Sequence, residues 1–184
     1  MRRPSLAPWV LCVVSLMYVL PANAQSWQSR LAAELPLMGH RNWILIVDSA
    51  YPEQVGSGIE TIETNADQLE VVRTVLAAIQ KSIHVRPVIF MDAELPFIQD
   101  KDAPGISNYR TQIGPLLHEY DVHSRLHQSL IDELAKDGAQ YHVLILKTQL
   151  AIPYTSVFMH LDCKYWSAEN ERALRAAMSS QSGQ

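Results

Sequence analysis

The chain carries seven histidines among its 184 residues, and histidine is the side chain whose unperturbed pKa suits it to proton transfer near neutrality. The densest grouping around one of them is Leu37-Met38-Gly39-His40-Arg41-Asn42, which runs through Trp43-Ile44-Leu45-Ile46-Val47 to Asp48-Ser49-Ala50-Tyr51-Pro52. An imidazole there offers a general acid or base. A carboxylate beside it would fix its tautomer or take charged hydrogen bonds from hydroxyl groups. A five- or six-residue strand covers roughly 17–20 Å, so His40 and Asp48 meet only where the backbone folds back. On spacing alone, strand-end polar residues are the simpler reading, with Asp48 capping a turn before Pro52. Gly39 permits a tight turn or a close backbone approach.

Other chemistry-bearing patterns are less specific. His123 and His127 are four apart in a stretch that reads as helical, with Glu119 one turn earlier. That spacing can seat two metal ligands, but no HExxH pattern accompanies it, and no metal site is expected. His84, His118, His142 and His160 read as structural, and His142, in a buried-type strand pattern, then needs a hydrogen-bond partner. Cys163 has no base and orienting acid placed beside it, and reads as a small hydrophobe near a packed face. Asp92, Asp100 and Asp102 lack the alternation of a calcium loop and read as a solvated acidic loop. No Gly-rich phosphate loop of either common pattern is present.

The elements that position these groups alternate strand and helix. A short N-terminal helix stops at Pro36. Trp43–Val47 is a continuous apolar run, as in a strand covered on both faces. Ile59–Glu63 alternates, a helix runs from Asp67 to Ile79 after Thr64, and Val85–Met91 is another strand. The Pro-, Asp- and Gly-rich stretch 92–114 reads as a long surface loop. Leu116–Tyr120 and Ser124–Lys136 read as helices, Tyr141–Leu146 and Val157–Leu161 as strands, and Ala168–Met178 as a final helix. The fold class is α/β, a single domain over residues 25–178 with a central sheet flanked by helices, followed by a disordered tail at 179–184.

Composition agrees. With 48% hydrophobic and 18% charged residues the chain suits a packed domain, and a net charge of −4 provides no basic field for nucleic acid. Arg2-Arg3, the apolar stretch from Leu6 to Leu20 and the Ala22-Asn23-Ala24 ending have the layout of a secretory signal, cleaved after Ala24. The expected mature chain is periplasmic or secreted and has no membrane span. Cleavage removes two arginines and Cys12, leaving Cys163 unpaired.

The Leu37-Met38-Gly39-His40 and Asp48-Ser49-Ala50-Tyr51-Pro52 segments resemble the opening signature of the D-ribose pyranase / L-fucose mutarotase family. In that signature a Gly-His is followed, across an apolar strand, by Asp and then Pro four residues on. Pro153-Tyr154-Thr155-Ser156, running into Val157-Phe158-Met159, resembles the second signature, with Ser156 where the family has Asn. The resemblance spans about Leu31 to Leu161. It implies an anomer or ring-form isomerase without metal or cofactor, acting on a fucose- or ribose-like monosaccharide. His40 would be its acid/base, and Asp48, Tyr154 and Ser156 would bind substrate. Of His123, Arg125 and His127, the last is the preferred counterpart of a further family position and would also contact the sugar. The resemblance also implies a homo-oligomer with sites near subunit contacts. A non-catalytic monosaccharide-binding protein of the same fold is the alternative.

Overall fold

A computed structural model describes residues 26–181; the expected signal segment and Cys12 lie outside the described residues. Helix α1 (Trp27–Glu34) starts where the Ser26 hydroxyl accepts a hydrogen bond from the Ser29 amide. A 3-10 turn through Pro36 then leads to β1 (Trp43–Val47). β2 (Ile59–Glu63), α2 (Gln68–Lys81), β3 (Val85–Asp92), α3 (Ile106–Leu117), β4 (Asp121–Arg125), α4 (His127–Asp137), β5 (Val143–Lys147), β6 (Val157–Cys163) and α5 (Ala168–Gln181) follow. Among the described residues no helix is long and apolar enough to cross a membrane.

The strands form one mixed sheet in the order β2-β5-β1-β6-β3-β4. β2, β5 and β1 are mutually parallel, β3 and β4 are parallel, and β6 runs antiparallel to both β1 and β3. Five strands therefore point the same way, and β6 joins two parallel blocks. β1 is buried along its whole length because both faces are covered. On one face Ile44, Ile46, Leu144 and Met159 meet Leu31 of α1, Val72 and Val75 of α2, and Ile113 of α3. On the other, Trp43, Leu45, Ile145 and Phe158 meet Leu130 and Leu134 of α4. Full burial of a leucine such as Leu134 contributes about 1.5–3 kcal/mol. The α/β single-domain expectation is thus met, and its sheet is mixed.

Three local expectations change. The stretch 92–114 is not one loop, since α3 begins at Ile106. Ile106, Tyr109, Ile113 and Leu117 are buried at helical spacing, and Asp100 accepts from the Gly105 and Ser107 amides at its start. Pro115 lies inside the last turn of α3, where its missing N–H deprives the Thr111 carbonyl of its helical donor. Residues 121–125 form the edge strand β4 rather than the start of a helix, so His123 sits on a strand and His127 opens α4. The i,i+4 histidine pair predicted from the sequence does not form. Finally, α5 continues to Gln181, through residues 179–181 of the expected tail.

Candidate functional site

Because five strands are parallel, their carboxyl ends share one rim of the sheet, the edge at which open α/β sheets place ligand clefts. Asp48 leaves β1 there, Asp92 ends β3, and His127 follows β4 as the first residue of α4. The β5–β6 connection brings Tyr154 to the same rim. Asp48, His127 and Tyr154, with Ser49, Tyr51 and Ile152, line a cavity of about 400 Å³, a volume within the range of small-molecule sites; Asp92 lies behind His127.

His127 is held from two sides. Its Nδ1 lies 3.0 Å from Asp92 Oδ1, so an Nδ1–H donates to the carboxylate and Nε2 is left as the exchangeable nitrogen. Its backbone amide donates to both oxygens of Glu94, each at 3.2 Å. Glu94 thereby caps α4 from outside the helix, where Leu126 at the cap position offers no side-chain bond. The imidazole meets the Tyr154 ring edge-on at 5.4 Å between centroids.

Asp92 is 1% exposed, and among the described residues its Oδ2 has no partner. Burial pushes its carboxyl pKa up, partly offset by the hydrogen bond and charge of His127. The Asp92 hydrogen bond in turn raises the imidazole pKa against the desolvation that lowers it. The net result is an imidazole that keeps its proton to higher pH than usual.

Asp48 Oδ1 accepts from the Ala50 amide at 2.9 Å, which fixes the carboxylate at the cavity wall. Tyr51 is buried beneath it, and burial raises its phenol pKa. Tyr154 is partly exposed and adopts a left-handed backbone, φ 58°, a conformation that costs a non-glycine residue energy and clusters at binding sites.

The residues predicted from the sequence are therefore divided. Asp48, His127 and Tyr154 share one cavity. Ser156 does not line it: the residue is fully buried just before β6, and its hydroxyl has no partner among the described residues. His40 lies at the opposite rim, because a five-residue strand of roughly 17 Å separates the two ends. There, with Arg41, Asp162, Cys163, Tyr165 and Trp166, it lines a separate cavity of about 540 Å³. The tight turn expected around Gly39 is carried by Arg41, at φ 74°, with Asn42 Oδ1 accepting from the Gly39 amide. Within one chain His40 and Asp48 do not converge. Cys163 is partly exposed in the His40 cavity.

Asp92 is the group that sequence reasoning missed, grouped with a solvated loop. A signal was available: Val88-Ile89-Phe90-Met91-Asp92 repeats the pattern Ile44-Leu45-Ile46-Val47-Asp48, an apolar strand closed by Asp.

No protein-family model matches the sequence, and no curated protein does. Solved structures do. RbsD of Bacillus subtilis, complexed with D-ribose, is 17% identical and aligns over 73% of this chain and 92% of its own, with a TM-score of 0.52. FucU from Bifidobacterium longum is 14% identical over 72% and 93%, TM-score 0.50. The fucose mutarotase of Streptococcus pneumoniae, in complex with L-fucose, is 13% identical over 77% and 98%, TM-score 0.50.

The chain has the RbsD/FucU-like fold. The resemblance read from the Gly-His and Asp-x-x-x-Pro segments thus extends to the whole sheet. At such low identity an RbsD/FucU-like fold is shared without individual contacts being fixed. What this chain contributes at its own rim is the His127–Asp92 pair beside Asp48.

Proposed function

We propose that the chain binds a monosaccharide at the carboxyl rim and catalyses interconversion of its anomers or ring forms. The observation that carries this reading is an imidazole oriented by a buried carboxylate, opening onto a sugar-sized cavity that also presents Asp48 and Tyr154. Opening a cyclic hemiacetal requires the anomeric hydroxyl to lose a proton while the bond from the anomeric carbon to the ring oxygen breaks and that oxygen gains a proton. Neutral His127 Nε2 takes the first proton, and the Tyr154 hydroxyl stands on the same wall to supply the second. Reclosure on the other carbonyl face reverses both transfers. Asp48 accepts hydrogen bonds from sugar hydroxyls, and the Tyr154 ring supplies an apolar face. No step needs a metal or redox group.

The reading includes export through the N-terminal signal and assembly into a homo-oligomer. His40 takes part only where a neighbouring copy presents its amino rim to this cavity. The binding-protein alternative is favoured by one observation: Ser156 and His40 are both absent from the cavity wall, leaving few polar groups to act on a substrate.

NMR exchange spectroscopy on fucose, ribose, galactose and glucose separates the two. Catalysis predicts faster anomer or ring-form exchange with the native chain and a loss of at least about 100-fold in His127→Ala, the usual scale of general acid–base assistance. Ligand shifts without faster exchange would establish the binding protein instead.

A further inference from the structure

The register of the β2–β5 pair gathers a second set of reactive side chains at the amino rim, away from the sugar cavity. Glu60 on β2 stands opposite Leu144 on β5. His142 lies two residues before Leu144, so strand alternation puts Glu60 and His142 on the same face of the sheet. That is the face covered by α1, and Glu34, the last residue of α1, comes down beside them. One ligand atom from each of Glu34, Glu60 and His142 lies within 4.8 Å of the others.

An ion-pair cluster accounts for only part of this arrangement. Arg30 pairs with Glu34 Oε1 at 3.3 Å and donates to Glu60 Oε1. Each carboxylate therefore turns one oxygen to the guanidinium and retains a second. His142 Nε2 is the atom left over: it is shielded from solvent and has no hydrogen-bond partner among the described residues, and Glu34 Oε2, at 3.8 Å, is beyond bonding reach. A buried, unsatisfied imidazole nitrogen facing two carboxylates calls for something between them.

We propose that Glu34, Glu60 and His142 form a binding site for a divalent transition ion, zinc in preference to magnesium or calcium. Two carboxylate oxygens and one imidazole make a donor set of borderline softness, which suits zinc, whereas calcium and magnesium take oxygen alone. Zinc–ligand distances of about 2.0–2.2 Å put tetrahedral ligands roughly 3.3 Å apart. The three atoms must therefore close in by up to about 1.5 Å, a movement the two glutamate side chains can make while the paired strands hold the backbone. Arg30 then bonds the outer oxygens and orients both carboxylates, as outer-shell partners do. Water completes the fourth position.

The site is tested on the full chain by calorimetric titration with zinc chloride, alongside visible absorption of the cobalt(II) form. The expected result is one zinc per chain, with cobalt bands of tetrahedral intensity. Glu34→Gln, Glu60→Gln and His142→Asn should each weaken zinc at least tenfold, and His127→Ala should leave it unchanged. Circular dichroism checks each fold, and E60Q, on an edge strand, keeps the test valid where a change in α1 loosens the helix. Absence of zinc binding, or binding unaltered in E60Q and H142N, overturns the proposal. Because the readout is metal binding, failure of the sugar reading leaves this result untouched.

Discussion

At the scale of single residues, the His127–Asp92 pair makes the sharpest predictions. The carboxylate favours the imidazolium, so the acidic limb of an exchange-rate profile, where the neutral base is lost to protonation, should inflect above the ordinary histidine pKa of 6.5. Replacing Asp92 with Asn removes that stabilisation, and the inflection should move to lower pH; an unmoved inflection would mean another group titrates. The same substitution bears on stability. Burial raises Asp92 above its ordinary 3.8, so its contribution to stability is present at low pH and lost as pH rises through the folded-state value. His127, also raised, behaves in the same sense above 6.5. Asp92→Asn should therefore increase the thermal midpoint by a few degrees at pH 8 and much less at pH 4, even as it slows exchange. Asp48 and Tyr154 stood out in the sequence because each adjoins an apolar strand or a Pro turn, and His127 only as the preferred counterpart of a position in the resembled family. Asp92 did not, since a single Asp before a Pro-rich stretch has the same local pattern whether it faces water or a histidine thirty-five positions on. Ser156 lies away from the cavity, a placement hidden for the converse reason: position in a motif does not reveal that the residue is fully buried just before β6.

At the scale of elements, close packing at two glycines sets the entry to β2. A Cβ on Gly58 would lie 2.5 Å from the Tyr141 carbonyl and 2.6 Å from that of Gly138. Gly58→Ala should cost about 1–3 kcal/mol, the range for overpacking against backbone that cannot yield, measured as a lower denaturant midpoint at unchanged m-value. The contact between Glu94 and the first amide of α4 makes a second prediction. Glu94→Ala should lower stability by about 1 kcal/mol, as for loss of a helix cap, and should also slow exchange, because the capped amide belongs to His127. A variant that loses stability with full exchange activity would separate the cap from the site. The strongly periodic elements were plain in the sequence: β1 through its unbroken apolar run, and α2 through Leu69, Val72, Leu76 and Ile79. β4 and α3 were not. β4 is an edge strand whose Asp121-Val122-His123-Ser124-Arg125 is largely exposed, so no burial pattern marks it. α3 carries Gly114 and Pro115, which read locally as breakers, while Ile106, Tyr109 and Ile113 pack it onto the sheet regardless.

For the whole molecule, the division of the motif residues between two rims makes assembly decisive. A chain that acts alone must show a monomer mass by light scattering and unaltered exchange in His40→Ala. A chain whose neighbour completes the cavity must show a larger mass and slowed exchange in the same variant. The sheet has a consequence of its own. Asp48 is carried by the β2-β5-β1 block and Asp92 with His127 by the β3-β4 block, and among the described residues backbone pairing connects the two only through β6. That strand works as a gauge bar: sliding its ladder by one residue pair would offset the anchoring carboxylate from the proton carrier by about 3.3 Å, more than twice a carbon–carbon bond. On the proposed sugar reading, the distance between the two anchoring groups is set by the pairing of Val157 to His160 with both neighbouring strands, residues that no ligand needs to touch.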